Sequence, residues 1–205
     1  MIKQNQRWKF SLGSIRQWHW ISSALCLAGM LLFAITGITL NHAADIAADI
    51  QVTTIEAKVP TELVSQLSSQ HQQAVPTKLL KWLADEEQLY ISADSKVEWS
   101  DDELYVSLPR PGGDAWLSLD LLNGDLSYEK TERGVVSYLN DLHKGRNTGK
   151  TWFWFIDLFA VACVVFCVTG LVLLYRYAGP RPTTWPVVGL GVVIPVLLII
   201  LFVHS

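Results

Sequence analysis

Charge is missing from three long stretches of this chain. No Asp, Glu, Lys or Arg lies between Arg16 and Asp45, between Asp157 and Arg176, or after Arg181. Each stretch is long enough to supply the roughly 20 apolar residues that carry a helix through a bilayer core. Spanning helices are therefore expected at about 18–41, 152–176 and 185–203. Cysteine is scarce as well. Cys26, Cys163 and Cys167 all fall inside the uncharged runs, so no disulfide framework holds the segment between the first two. A phosphate-binding glycine loop, a zinc motif and a nucleophile triad are also lacking, and with them the simplest grounds for a nucleotide, zinc or acyl-transfer enzyme.

The charges that are present set an orientation. Lys3, Arg7, Lys9 and Arg16 precede the first run, and Arg176 and Arg181 lie between the second and third. Bases gather on the cytoplasmic side of membrane helices, which leaves residues 43–151 extracytoplasmic. That segment carries eighteen acidic and ten basic residues, a net of −8. Trp18, Trp20, Trp152, Trp154 and Trp185 stand at helix ends, where an amphipathic ring prefers to sit. The expected plan is a cytoplasmic basic tail (1–17), helix (18–42), exported domain (43–151), helix (152–176), cytoplasmic loop (177–184) and helix (185–205). The first apolar run is longer than a signal core and lacks small residues at a cleavage site, so it reads as an uncleaved anchor. No nucleic-acid partner is expected.

The exported segment reads as one small α+β module. "PTELVSQLSSQHQQ" and "PTKLLKWLADEEQ" have helical apolar spacing. "QLYISA", "KVEWS", "ELYVSLP" and "AWLSLDL" are strand-length pieces separated by turn residues, and Asn123-Gly124 is a hairpin signal. A further helix, "TERGVVSYLNDLH", leads back to the membrane. The spans carry a short internal echo: "AITGITL" (34–40) against "CVTGLVL" (167–173), near the end of the first and second runs. Thr and Gly are also common on packed faces of membrane helices.

Histidine is the first candidate for chemistry. His71 and His204 read as surface residues. His19 stands at the inner mouth of the first span and His42 at its outer end, roughly 35 Å apart at 1.5 Å per residue. They cannot share a site. His42 and His143 both fall at the outer interface, where two imidazoles could ligate a haem iron or simply cap helix ends. Asp157 lies inside the second span, where a carboxylate needs a polar partner. It could orient an imidazole, relay protons, or snorkel; His42, Arg146 and Lys150 are candidate partners. Lys144, Arg146 and Lys150 suit lipid headgroups, haem propionates or an anionic substrate. Gly145 and Gly149 permit sharp turns. The acidic runs 85–87 and 101–103 read as solvated charge, with cation binding as the alternative. Cys163 and Cys167 share a helix face and behave as small hydrophobes.

At this point the residues resemble a family. "RQWHWISSALCLAGMLLFAITGITLNH", "WLSLDLLNGDLSYEK" and "NDLHKGRNTGKTWFWFIDLFAVACVVFCVTGLVLL" are similar to PepSY-associated transmembrane proteins, in which a small PepSY module hangs between membrane helices. The resemblance covers roughly 16–42 and 113–175. It implies a three-helix membrane protein with an extracytoplasmic α+β PepSY-like domain between helices one and two. It further implies b-type haem and ferric iron reduction, because larger relatives include haem-containing reductases of ferric siderophores. Carried over, the family's histidine positions fall on His19, His42 and His143. The expected activity is reduction of ferric iron or a ferric complex, with His42 and His143 as axial ligands, Asp157 behind them, and Lys144 and Arg146 as anchors. The electron donor would be quinol or a separate reductase, and a homodimer or partner membrane protein could complete the sites. One rival is a non-redox PepSY module that binds or restrains another protein such as a peptidase. Another is an iron sensor working through the acidic loops.

Overall fold

The computed structural model describes residues 13–68 and 74–203. Helices α1 (Ile15–Asn41), α5 (Gly149–Tyr177) and α6 (Thr184–Leu198, continued by a π turn over Ile199–Val203) are long and apolar enough to cross a membrane. Among the elements that lie between α1 and α5 in chain order are β1 (Gln51–Lys58), α2 (Thr61–Ser68), α3 (Thr77–Glu86), β2 (Lys96–Trp99) and β3 (Glu103–Ser107). They are followed by β4 (Gly113–Asp120), β5 (Asp125–Glu132) and α4 (Gly134–Lys144). The chain is a membrane protein with a small antiparallel α+β region. It forms two compact units. One joins residues up to Leu31 with Phe155 onward, and the other runs from Leu32 to Trp154.

In the second unit the sheet order is β1-β5-β4-β3-β2, antiparallel throughout. Alternation along β3 and β4 turns Leu104, Val106, Leu117 and Leu119 to one face, where they bury completely. Val64 and Leu67 of α2 and Leu79 and Leu83 of α3 join the same cluster. Both helices are amphipathic and short, so this shared burial stabilises them more than propensity does. The opposite sheet face carries Tyr105 and Trp116, whose rings stack at 6.4 Å. Asn123 and Gly124 turn β4 into β5, with Gly124 at φ +80°.

Two expectations about elements are corrected. β1 was not among the expected strands, yet it pairs with all of β5, from Gln51↔Glu132 to Lys58↔Asp125. Its apolar residues Val52, Ile55 and Ala57 do not share one face, so the period-2 signal is broken. That pairing holds Thr131 and Glu132 in β5, and α4 begins at Gly134 rather than at 131. The stretch 88–93 is irregular despite its alternation. Gln88 takes φ 56°, which interrupts an extended chain, although Leu89 and Ile91 still pack on the core.

In the first unit, α1 meets α5 through small residues. Ser22 and Cys26 are buried. A Cβ on Gly29 would stand 2.4 Å from the Phe159 ring. Close approach at such positions is how helices associate without a hydrophobic drive between them.

Candidate functional site: two threonine-held histidines

His143 lies in the last turn of α4. Gly145 ends that helix in a left-handed cap, its N–H returning to Leu142, a conformation that costs glycine little. The His143 Nδ1 lies 2.7 Å from Thr36 Oγ1 on α1. The Thr36 hydroxyl donates its single proton back to Leu32 O at 2.9 Å. Its oxygen therefore accepts from the imidazole, which places a proton on Nδ1. The Phe33 ring packs at 4.9 Å from the imidazole centroid. One turn on, the Thr39 hydroxyl donates to buried Asn140 at 2.8 Å, so α4 is fixed to α1 at two levels. Trp152 Nε1 donates to Leu142 O at 2.9 Å and ties the start of α5 to the same turn.

His19, near the start of α1, repeats the arrangement within the other unit. Its Nδ1 lies 3.0 Å from Thr169 Oγ1, and Thr169 donates to Val165 O at 2.7 Å. Phe166 stacks on the imidazole at 4.8 Å with the ring planes 13° apart. A Cβ on Gly170 would come within 3.2 Å of His19 Cε1, and one on Gly37 within 3.6 Å of His143 Cε1. The missing side chain thus matters beside His19, whereas beside His143 a methyl would meet the ring at an ordinary contact distance.

The two half-sites share one motif. Phe33-Ala-Ile-Thr36-Gly37 and Phe166-Cys-Val-Thr169-Gly170 both read Phe-x-x-Thr-Gly, and each receives a histidine from another helix. With each threonine proton on its own helix carbonyl, a neutral imidazole carries its proton on Nδ1 and its lone pair on Nε2. Neither Nε2 has a hydrogen-bond partner among the described residues. Beside His19 a cavity of about 420 Å³ is lined by Gly170, Leu173, Tyr177, Arg181 and Thr184. The Tyr177 hydroxyl accepts from Arg16 at 3.1 Å.

The other sequence candidates stand apart from these imidazoles. His42 Nδ1 faces Asp45 at 3.3 Å in an exposed position. It follows Thr36 by six residues, about 240° around the helix at ~100° per residue. It therefore leaves α1 on a different face from Thr36, the residue that bonds His143. Asp157 is exposed on α5, with no hydrogen bond or ion pair among the described residues. Lys144 and Arg146 line one cleft with Arg133. His71 and His204 lie outside the described residues. Sequence reasoning passed over Thr36, Thr169, Phe33, Phe166, Gly37 and Gly170. Their signal was the echo between spans, once the phenylalanine three residues before each threonine is included.

A family model described as PepSY_TM-like matches residues 10–204. The chain belongs to that family. No curated protein and no solved structure matches it. In this PepSY_TM-like protein the acidic runs form no metal centre: among the described residues no three of His, Cys, Asp and Glu are grouped to hold an ion. The chemistry available to the family member is that of single imidazoles whose tautomer is fixed. Such an imidazole can ligate a metal or accept a proton at Nε2 and nowhere else.

Proposed function

We propose that this PepSY_TM-like protein binds b-type haem and reduces ferric iron, or a ferric siderophore, at the outer face of a bacterial inner membrane. The observation that carries the reading is the duplicated half-site, with Nδ1–H given to a threonine and Nε2 left as the donor atom. Ligating histidines characteristically engage their second nitrogen in this way. The donor set fits haem: His143 in one half-site and His19 in the other would each hold the iron through Nε2. His42 is not assigned an axial role, because its imidazole leaves on another face of α1. Each half-site offers one imidazole, and a second copy of the chain or a partner membrane protein would supply any further ligand.

Bound haem would supply one-electron transfer to ferric iron. The chain's own residues do the rest. Thr36 and Thr169 fix the tautomers, Phe33 and Phe166 pack against the imidazoles, and Gly170 keeps the flank of His19 open. The electron donor is quinol or a separate reductase.

The test is the absorption spectrum of detergent-solubilised, haem-replete protein. A ferrous b-type spectrum is expected. It should diminish in His143→Ala and in His19→Ala, and vanish in the double variant. A colourless wild-type protein, or a double variant that keeps full colour, sinks the reading and favours a non-redox module whose surface binds another protein.

A further inference from the structure

We infer that the cleft beside the last two turns of α4 binds a small oxyanionic ligand, bearing carboxylate or phosphate groups. The cleft measures about 360 Å³ and is lined by Arg133, Ser137, Asn140, Asp141, Lys144 and Arg146, with apolar Leu40 and Ala43 at one side. A volume of that order holds a small molecule rather than a polymer, since ligand pockets run roughly 300–1,000 Å³.

The sign of the charge points to the ligand. Residues 43–151 carry a net of −8, so an anion meets repulsion over most of this module. Half of its ten bases are in ion pairs: Lys58 with Asp125, Lys96 with Glu98, Arg110 and Lys130 with Glu132, and Arg133 with Asp114. Lys144 and Arg146 have no ion pair among the described residues, and both face this cleft. Asp141, the single acid there, already accepts the Gly112 N–H at 2.8 Å.

Local structure explains the convergence. Residues two apart on a helix point about 200° away from each other. Here Gly145 stands between Lys144 and Arg146 in the left-handed conformation at φ +67°, and the Arg146 N–H turns back to Asp141 O at 2.9 Å. The chain reverses, and the two cations share one wall. Charge-assisted bonds to carboxylate or phosphate follow from this geometry, and neutral or cationic ligands gain nothing from it. Two sources offer such groups at a membrane surface, a soluble polycarboxylate chelate and an anionic phospholipid headgroup. If the redox reading above holds, the chelate is the ferric substrate, but binding itself does not rest on haem.

Full-length protein in phosphatidylcholine nanodiscs is titrated with citrate and with gallium(III) citrate, a redox-inert stand-in for ferric citrate. The same measurement is repeated in nanodiscs containing phosphatidylglycerol. Binding should weaken at least about tenfold in Lys144→Gln/Arg146→Gln and be the same in haem-free and haem-replete wild-type protein, which separates this inference from haem binding. Citrate binding that is present in phosphatidylcholine discs and lost in phosphatidylglycerol discs identifies the headgroup as the source. Control variants Lys81→Gln and Lys150→Gln lie outside the cleft. Equal weakening in those controls, or no binding of either anion that depends on Lys144 and Arg146, overturns the inference. Unaltered thermal unfolding of the Lys144/Arg146 variant guards against misfolding.

Discussion

Thr36 and Thr169 each spend their only hydroxyl proton on a carbonyl of their own helix, and this small commitment decides which imidazole nitrogen is available. Valine at either position keeps the shape and removes the acceptor. Thr36→Val and Thr169→Val should each lower the haem affinity of their half-site about 10- to 100-fold, the usual cost of losing a ligand's outer partner. Serine in place of threonine should restore most of it. Titrating haem into the apoprotein measures both. The glycines differ more finely. Gly170→Ala presses a methyl to 3.2 Å from His19 and should weaken its half-site, while Gly37→Ala meets His143 at an ordinary 3.6 Å and should be silent. Equal effects would remove the steric explanation. At this scale the sequence is only half legible. His19 and His143 stand out by type, but Thr36 and Thr169 look like ordinary packing residues until the histidine that reaches each one is known.

Among the elements, the turn between β4 and β5 depends on one carboxylate. Asp120 accepts N–H groups from Leu122 and Asn123 at 2.8 and 3.0 Å. The Asn123 and Leu122 backbone N–H bonds hold its pKa below the usual 3.8. A carboxyl depressed by folding stabilises the protein above its unfolded pKa, and that contribution is lost as pH falls through the lower folded value. Stability should therefore drop below about pH 4 more steeply in the wild type than in Asp120→Asn, followed by thermal unfolding. Leu117, fully buried between sheet and helices, should cost about 2–5 kcal/mol when cut to alanine, through lost transfer energy and a residual cavity. The same logic explains what could be read in advance. β3 and β4 were legible because one face of each buries and the pattern alternates. β1 was not, because an edge strand with both faces largely exposed has no apolar period to display. The helix start at 134 was misplaced for the same reason, since the strand pairing that claims Thr131 and Glu132 had no visible partner.

For the whole molecule, the three uncharged runs made the membrane class plain, because no soluble fold asks for them. Orientation rests on Arg16, Arg176 and Arg181, with the basic residues before them. Tyr90 is 86% exposed, and the native cysteines all lie in the spans. Tyr90→Cys should thus react with an impermeant maleimide in intact spheroplasts, and protection until lysis would invert the proposed topology. What the sequence hid at this scale was reciprocity. α1 gives a histidine to one half-site and Phe33, Thr36 and Gly37 to the other, a relation visible only once partners are assigned.

That reciprocity fixes an order in time. The His143–Thr36 bond joins residues 107 apart, and the His19–Thr169 bond joins residues 150 apart. Chains emerge from the ribosome at roughly 5–20 residues per second. The first half-site has all its parts once residue 143 is made, whereas the second waits for α5. His19 is made 150 residues before the threonine that holds it.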